Sequence, residues 1–506
     1  MALIIVSQKH MKTKEKAPYR PTRILAILTS FMVLCACGTD SEKQDIIRNI
    51  VTVNLAKNEL AFIPNYMNVF YITSHANKVH AEALLSKKAG VSVKDHICTI
   101  DISKDIDSNY LEVEACMDRF YHQLQRKGLK IHHLVNSGND LAVFEGAKLR
   151  SKYGIAGLSA DDAERFYDKS TMKNLASASL GSESTAKYTL INQKDIVPGS
   201  ERQFFQDTIY STFSDNWSSL VLKPTQSTSS RSVKVFSNGP NALDEMVAFY
   251  KSDLSKETGN LLIEEFIEGE ILRLDGYIES GKILANFTSL YHVSPKDFYQ
   301  DGIPQLTEMI HDSEEQAHFA NYTQNLLKAF QYEDGVYHLE LIKRKQDDKL
   351  FFLEIAARPG GTLSSTLTLL GYNPTASHIY SQLDLKQHEL KTCSKSFATV
   401  TMEFPQKLNA TEVWLKELSD PDLSEFQTLQ HQLSWRSSTN KKLRASYRPL
   451  QMVFIDDNHE AVIEEATRLY FQLNARFKVK GGPNDGQWYT LQGGPQATDT
   501  PMFANR

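Results

Sequence analysis

Apolar and polar residues change their spacing repeatedly between residues 67 and 156, and this predicts alternating strands and helices. The runs VFYITSH, HICTIDIS and IHHLVNS have the short apolar pattern of strands. Between them, NKVHAEALLSKKAG and EVEACMDRFYHQLQRKG repeat apolar residues at helical spacing. This order favours a parallel sheet with covering helices. No GxGxxG motif is present in it, so dinucleotide binding is not predicted.

Two further units and a tail follow along the chain. We predict a second unit over 157–390, whose strands carry most of the charged motifs. A third, over 391–480, begins with the strand FATVTMEF and closes with the amphipathic run HEAVIEEATRLYFQLNARF. Residues 481–506 contain GGPNDG and GGPQATDTP, and this composition predicts a flexible tail.

The segments GVYHLELIKRK and KLFFLEIAARPGG carry the strongest chemical pattern. Both alternate as half-buried strands do, and the polar linker KQDDK can turn a hairpin that places Glu340 opposite Glu354. Like charges across a sheet repel, so we predict a divalent cation between them. Two exposed glutamates on a solvated face are the alternative. The ending ARPGG favours the cation, because Arg358 there precedes a turn that lets backbone approach a ligand.

Three other segments are compatible with phosphate or nucleotide binding. SSLVLKPTQSTSSRSVKVF brings Lys223 into a run of small hydroxyl residues that includes Ser229 and Ser230. LLIEEFIEGEILRLDGYI carries several glutamates, and Lys169 follows a turn and opens a helix. Taken singly, each segment is equally compatible with a solvated surface.

Charge and cysteine content exclude several classes of protein. The net charge is −5, with 41% hydrophobic and 23% charged residues, so we expect a globular protein with no nucleic-acid partner. The five cysteines form no CxxC pair, which predicts neither a zinc site nor a disulfide framework. We expect Cys98, Cys116 and Cys393 to be small buried side chains.

The N-terminal residues 1–45 resemble an export signal. Six basic residues precede the uncharged run ILAILTSFMVLCACGT, and LCAC is similar to a bacterial lipoprotein cleavage box at Cys37. Two interpretations stay open: a genuine signal with membrane association, or a start assigned too far upstream, with Met67 just before the first strand.

In this order, the motifs resemble those of the ATP-grasp superfamily over about residues 67–480. The resemblance implies an α/β and α+β ATP-grasp fold, with an N-terminal parallel-sheet, nucleotide-fold-like domain (67–156), an ATP-grasp domain (157–390) and a C-terminal lid subdomain (391–480). It also implies ATP and Mg²⁺ (or Mn²⁺) as cofactors.

The resemblance assigns roles to individual residues. The ATP phosphates would be contacted by Lys169, Lys223, Ser229 and Ser230. Adenine would be bound by Glu264, Glu265 and Ile267, and ribose by Glu270. The metal would be held by Glu340 and Glu354, and the catalytic residues would be Arg358 and Lys223. Two departures weaken the match. The usual KPxxGxGSxGV loop has serines at its glycine positions, Ser227, Ser229 and Ser232, and the usual metal-site asparagine is Ala356.

The third unit is similar to the lid of carboxylate–amine ligases of the L-amino-acid ligase kind. This implies a cytoplasmic enzyme, often a dimer, that joins a small carboxylic acid to an amine through an acyl-phosphate. We expect both substrates to be amino acids. Arg273 and His338 could bind the substrate carboxylate or be structural ion-pair partners. A biotin-carboxylase-like activity and a catalytically silent nucleotide-binding protein are the alternatives.

Overall fold

The structure is a computed structural model of the 506-residue chain. It describes residues 69–74, 97–100, 106–128, 130–136, 140–227, 230, 232–255, 259–384, 387, 390, 392–408, 410, 412–419, 422–433, 441–444 and 449–494. The predicted export signal, the predicted helix at 77–90 and Ser229 lie outside these residues.

A three-stranded parallel sheet forms the N-terminal unit. Its elements are β1 (Val69–Ser74), β2 (Ile97–Ile100), α1 (Ile106–Gln125), β3 (His133–Asn136) and α2 (Asp140–Tyr153). Both β2 and β3 pair with β1 in parallel, as the sequence predicts. Helix α1 buries Val113, Met117, Phe120 and Leu124, which recur at the helical spacing seen in the sequence.

A four-stranded antiparallel sheet follows. The elements are α3 (Ala160–Glu164), α4 (Lys169–Leu180), β4 (Tyr188–Ile191), α5 (Glu201–Phe213), β5 (Ser219–Pro224), β6 (Lys234–Ser237), α6 (Ala242–Phe249) and β7 (Leu261–Glu265). The strand order is β4-β7-β5-β6. Helices α5 and α6 cover one face through a core that includes Phe205, Leu220, Met246 and Ile263. The other face is therefore left to carry the lysines of the candidate site.

The largest sheet has eight antiparallel strands. Its first part comprises β8 (Gly269–Glu279), β9 (Lys282–Tyr291), β10 (Gln305–Met309), α7 (Ser313–Ala329), β11 (Gly335–Arg344), β12 (Leu350–Ala356), α8 (Ser364–Leu369) and α9 (Pro374–Gln382). A π-helical turn, Asp297–Asp301, lies between β9 and β10. One face of β8 and β11 packs on α4 and α7 through leucines such as Leu272, Leu326 and Leu339.

The C-terminal unit both extends this sheet and adds another. Its elements are β13 (Ser396–Met402), β14 (Glu412–Leu418), β15 (Leu429–Leu433), β16 (Lys441–Arg444), β17 (Leu450–Asp456), α10 (His459–Gln472), β18 (Asn474–Lys480) and β19 (Trp488–Gln492). The eight-stranded order is β12-β11-β8-β9-β10-β13-β17-β15, so the sheet runs across the predicted boundary at 390/391. The smaller sheet has the order β16-β14-β18-β19.

Two expectations from the sequence are wrong. The predicted flexible tail contains strand β19, because its backbone pairs with β18 and Leu491 joins the C-terminal core. Cys116 and Cys393 each form a disulfide, which the spacing of the cysteines did not predict. Both cysteines are only half-buried. Spacing along the chain does not report distance in space, which decides whether two thiols can bond.

No helix in the described part of the chain is long and apolar enough to cross a membrane.

Candidate active site

Two glutamates face one another across neighbouring strands, as predicted from the sequence. Strands β11 and β12 pair so that Glu340 is opposite Glu354. The register shifts just beyond this pair, where Leu341 is opposite Phe352. Leu353 is therefore an extra residue, a β-bulge. Because of the bulge, Phe351 and Glu354 project to the same side although they are three positions apart. We call the side that carries Glu340 and Glu354 the site face.

Basic side chains lie beside both carboxylates. Lys169 Nζ is 3.5 Å from Glu354 Oε2, and His338 Nε2 is 3.4 Å from Glu340 Oε1. Glu340 is 7% exposed, whereas the Glu354 side chain is 36% exposed. Two opposed carboxylates, one of them accessible, fit a Mg²⁺ ion that takes its other ligands from substrate phosphates and water. Among the described residues, no group of three or more His, Cys, Asp or Glu side chains could hold a metal ion.

Lys169 connects the carboxylates to the serine-rich segment after β5, whose described residues 225–227, 230, 232 and 233 are called here the serine loop. Asp168 caps helix α4 by accepting hydrogen bonds from the backbone N–H groups of Ser170 and Thr171. The next residue, Lys169, is held at the helix start, 7% exposed. Its ammonium donates to the backbone carbonyl of Ser227 at 2.6 Å. One lysine thus contacts both the predicted phosphate loop and the predicted metal site.

Backbone strain marks the serine loop. Ser230 has φ of 52° and Ser232 has φ of 55°, in the left-handed region that favours glycine. Ser232 is one of the three serines at positions where the ATP-grasp pattern has glycine. At Ser232 the backbone therefore keeps a glycine-type conformation with a serine side chain.

A buried ion cluster lies on the four-stranded sheet. Glu264 on β7 is paired with Lys223 on β5 and with Lys173 on α4, the latter at 2.8 Å. All three side chains are nearly inaccessible, at 6% or less. Burial alone would raise the pKa of Glu264, but Lys173 and Lys223 lower it to about 2. Lys173 was not among the predicted residues, although its position one helical turn after Lys169 places it on the same face of α4.

The predicted adenine segment borders an apolar cluster. Ile267 packs with Ala186 and Phe351, and Ile342 adds to the same cluster. Ile342 is paired with Phe351 and shares the site face with Glu340. The cluster thus lies on the same side of the sheet as the carboxylates. Glu265 is exposed, unlike its neighbour Glu264.

The structure does not bring Glu270 to this site. Glu270 is opposite Lys343, whereas Arg273 is opposite Glu340. Positions three apart on a regular strand project to opposite faces. Glu270 therefore shares the face that packs on α7, where it lines a cavity with Glu315 and Lys343. The period of two in EILRLD indicates this face, whereas the order of motifs, from which the ribose role of Glu270 follows, does not.

Arg273 and His338 belong to a buried polar chain. Arg273 is paired with Asp275, and its Nη1 donates to Tyr291 Oη at 3.0 Å. Asp275 Oδ1 is 3.1 Å from His338 Nδ1. Burial alone would lower the pKa of His338, but Asp275 and then Glu340 raise it above its usual value. This series of polar contacts therefore ends at Glu340, one of the two opposed carboxylates.

Gly360 closes over Arg273. A Cβ at this position would lie 2.1 Å from Arg273 Nη2 and 2.4 Å from Asp275 Oδ1. Arg273 is 1% exposed. Arg273 is therefore a structural ion-pair partner beneath the Gly360 turn. This is one of the two roles that the sequence allows, the other being contact with the substrate carboxylate.

Arg358 follows β12 and contacts the N-terminal unit. Its Nε is 2.6 Å from Asp140 Oδ1, and its Nη1 donates to the carbonyl of Pro359 at 2.9 Å. Asp140 is the first residue of α2. Burial alone would raise the pKa of Asp140, but Arg358 holds it below its usual value. The sequence gave no sign of this pair, because its members are 218 positions apart.

The ATP-grasp domain family matches residues 218–367, a span that includes the opposed carboxylates, Lys223, Glu264 and Arg358. No curated protein matches the chain in sequence. The prediction of an ATP-grasp fold is confirmed by solved structures that share the fold at low identity.

Three of these structures are similar over most of their length. L-amino acid ligase from Bacillus licheniformis has a TM-score of 0.54 and 13% identity, covering 80% of this chain and 98% of its own. Biotin carboxylase from Campylobacter jejuni has a TM-score of 0.55 and 12% identity, covering 85% and 89%. The biotin carboxylase domain dimer of 2-oxoglutarate carboxylase from Hydrogenobacter thermophilus, in complex with MgADP, ADP and bicarbonate, has a TM-score of 0.55 and 13% identity, covering 84% and 87%. Residues 218–367 therefore match an ATP-grasp domain, and the chain has the ATP-grasp fold.

Proposed function

We propose that the protein is a carboxylate–amine ligase that uses ATP to form an amide or peptide bond through an acyl-phosphate, releasing ADP and phosphate. The observation that carries this proposal is the position of Lys169, within 2.6 Å of the Ser227 carbonyl and 3.5 Å of Glu354. A single cation between a phosphate-type loop and an opposed carboxylate pair suits a site that transfers a phosphoryl group.

In this proposal the chain mainly positions its substrates and balances their charge. Lys169, Lys223, Ser229 and Ser230 bind the ATP phosphates, and the Arg358 guanidinium stabilises the transferring phosphoryl group. Glu340 and Glu354 would hold Mg²⁺ or Mn²⁺, which would supply positive charge to the phosphate oxygens. A carboxylate oxygen of the acid substrate attacks the γ-phosphorus and ADP leaves. The amine then attacks the acyl carbon, and phosphate leaves with the C–O bond electrons.

The adenine ring would lie against the apolar cluster beside the hinge. Ile267, Phe351 and Ile342 supply a wall for a flat, largely apolar ring. Backbone groups of residues 264–267 and the exposed Glu265 carboxylate immediately precede or include Ile267, and they are the polar groups that we assign to adenine. Glu264 supports the site through Lys223, because both of its neighbouring cations are buried with it.

We further propose that the acid and the amine are amino acids. This rests on the shared fold with L-amino acid ligase and on the lid-like third unit. Arg273 is enclosed by Gly360, so it acts on the substrate through Asp275, His338 and Glu340 rather than by contact.

Product analysis tests the ligase directly. The purified full-length protein is incubated with Mg-ATP and pools of amino acids, and phosphate release is compared with controls that lack amino acids. We expect release only with particular pairs, together with a product lighter than their sum by one water. Tight ATP binding without turnover over broad pools would instead favour a silent nucleotide-binding protein. Failure of the folded protein to bind ATP would refute the assignment of an ATP site.

A bicarbonate-using activity is the second candidate, because two of the similar folds are biotin carboxylases. Bicarbonate-dependent phosphate release without any amino acid would favour it over the ligase.

We propose a cytoplasmic location, where ATP is abundant, and a homodimer, as in the carboxylase domain dimer. The disulfide-bonded Cys116 and Cys393 are an observation against that location, because disulfides persist mainly in oxidising compartments. Fractionation of cells expressing the full chain, with and without residues 1–45, distinguishes this from a membrane-anchored protein. Light scattering of the purified protein gives the number of subunits.

A further inference from the structure

Gln300 connects the serine loop to the π-helical turn Asp297–Asp301. Its side-chain Nε2 donates to the backbone carbonyl of Ser230 and also lies 3.4 Å from the carbonyl of Val233. These two carbonyls bracket Ser232, one of the residues with positive φ. A single side-chain amide therefore contacts the loop on both sides of a strained residue.

The segment that carries Gln300 is firmly anchored elsewhere. Phe298 is fully buried in the C-terminal core, together with side chains of β13 and β17. Asp301 accepts a hydrogen bond from Lys407 Nζ at 2.6 Å. Gly302 has φ of +71°, and a Cβ there would lie 2.5 Å from Pro405. The π-helical turn is thus fixed to the C-terminal unit, and Gln300 reaches from it to the serine loop.

The serine loop is tethered at its other end by Lys169, through the carbonyl of Ser227. Non-glycine residues at positive φ cost about 1 kcal/mol or more and persist only when their surroundings fix them. Two tethers, one cationic from α4 and one neutral from the turn, supply such surroundings. A loop fixed in this way loses less conformational freedom when it binds a ligand.

We propose that Gln300 is a positioning residue that holds the serine loop in its phosphate-binding conformation. This inference rests on the proposed function, since the ligand of the loop is taken to be the triphosphate of ATP. Gln300 itself needs no contact with ATP. Its hydrogen bonds fix the carbonyls of Ser230 and Val233. The positions of these carbonyls in turn determine the direction in which the polar groups of the loop point.

Substitutions at Gln300 separate this role from general stability. Gln300→Ala removes the donor, and Gln300→Glu keeps the size but places a carboxylate oxygen against two carbonyl oxygens. Gln316→Ala is the matched control, because Gln316 Nε2 also donates to a backbone carbonyl, that of Ile310 at 2.6 Å, away from the serine loop. Each full-length variant is first checked for an unfolding midpoint close to that of the wild type.

Binding of adenylyl imidodiphosphate with Mg²⁺ is then measured by calorimetry, and adenosine is measured by displacement of a fluorescent ATP analogue. We expect the Kd of the triphosphate analogue to rise about tenfold in Gln300→Ala, the effect of one lost hydrogen bond, and further in Gln300→Glu. The Kd of adenosine should stay unchanged, as should both constants in Gln316→Ala.

Two results would overturn the inference in different ways. If wild type binds the analogue and Gln300→Glu binds it equally well, Gln300 does not position the loop and the proposed function stands. If Gln300→Glu weakens adenosine as much as the triphosphate analogue, the residue supports the fold rather than the loop. If folded wild type binds neither ligand, the proposed function fails, and this inference fails with it.

Discussion

The guanidinium of Arg358 and the carboxylate of Asp140 meet at 2.6 Å, joining the turn after β12 to the first residue of α2. An arginine that stabilises a transferring phosphoryl group must have its guanidinium held in one orientation. Because the Asp140 carboxylate contacts Nε, another side of the guanidinium is left for a ligand. The N-terminal unit thus contributes to the candidate site through a residue that the ATP-grasp motifs do not include.

Asp140→Asn tests this contribution. The amide keeps the shape but loses the charge, so Arg358 should be less well oriented, and kcat should fall about tenfold to a hundredfold with little change in the KM for ATP. Asp347→Asn is the control, because Asp347 pairs with Arg344 at 2.6 Å in the exposed β11–β12 turn. Initial rates over a range of ATP concentrations give both constants. Equal kcat values for the two variants would contradict a role for Asp140.

Glu354→Gln tests the predicted metal site. The amide keeps the strand register but removes a charged ligand, so phosphate release should fall at least about a hundredfold, and activity should need more Mg²⁺. Rates are measured while Mg²⁺ is varied at fixed ATP. Glu412→Gln, on the exposed face of β14, serves as the control. A Glu354→Gln protein with wild-type activity and magnesium dependence would show that the site has been wrongly assigned.

Ser232→Gly tests whether the serine loop is strained. Glycine adopts the φ of 55° without the Cβ penalty. The free energy of unfolding should therefore stay the same or increase by up to about 1 kcal/mol. Ser237→Gly, in strand β6, should lower it by about 0.5–1 kcal/mol, because a strand gains nothing from glycine. Denaturant midpoints compare the two proteins. A loss of stability in Ser232→Gly as large as in Ser237→Gly would argue against strain.

Glu264 should make stability depend on pH in a defined window. Its pKa is lowered from 4.5 to about 2 in the folded protein, so its contribution is complete above pH 4.5 and is lost as pH falls towards 2. At pH 7, Glu264→Gln should cost about 3–5 kcal/mol, since it leaves two buried lysines without a counter-charge. The difference between wild type and variant should shrink at pH 3.5. Denaturant midpoints at both values measure it, and a difference independent of pH would contradict the ion cluster.

The parts of the site that could be predicted from the sequence are those set by local period. The alternation in β11 and β12 gave the Glu340–Glu354 pair, and the helix start gave Lys169. Asp140, Gln300 and Lys173 could not be predicted in this way, because their partners are brought near only by tertiary packing. Glu270 is a different case, since its face follows from the same alternation that located Arg273. Strand β19 was not predicted, because the glycine-rich segments on either side of this short strand are typical of a flexible tail.

The bulge at Leu353 has a consequence for how the site could be gained or lost. It lets an aromatic residue and a carboxylate, three positions apart, project to one side of β12. If Leu353 were instead paired in a regular ladder, Phe351 and Glu354 would project to opposite sides, without a change in any side chain that contacts a ligand. The integrity of this site therefore depends on where the strand departs from regular pairing as much as on the identity of its residues, and a comparison of related sequences by residue type alone would overlook such a change.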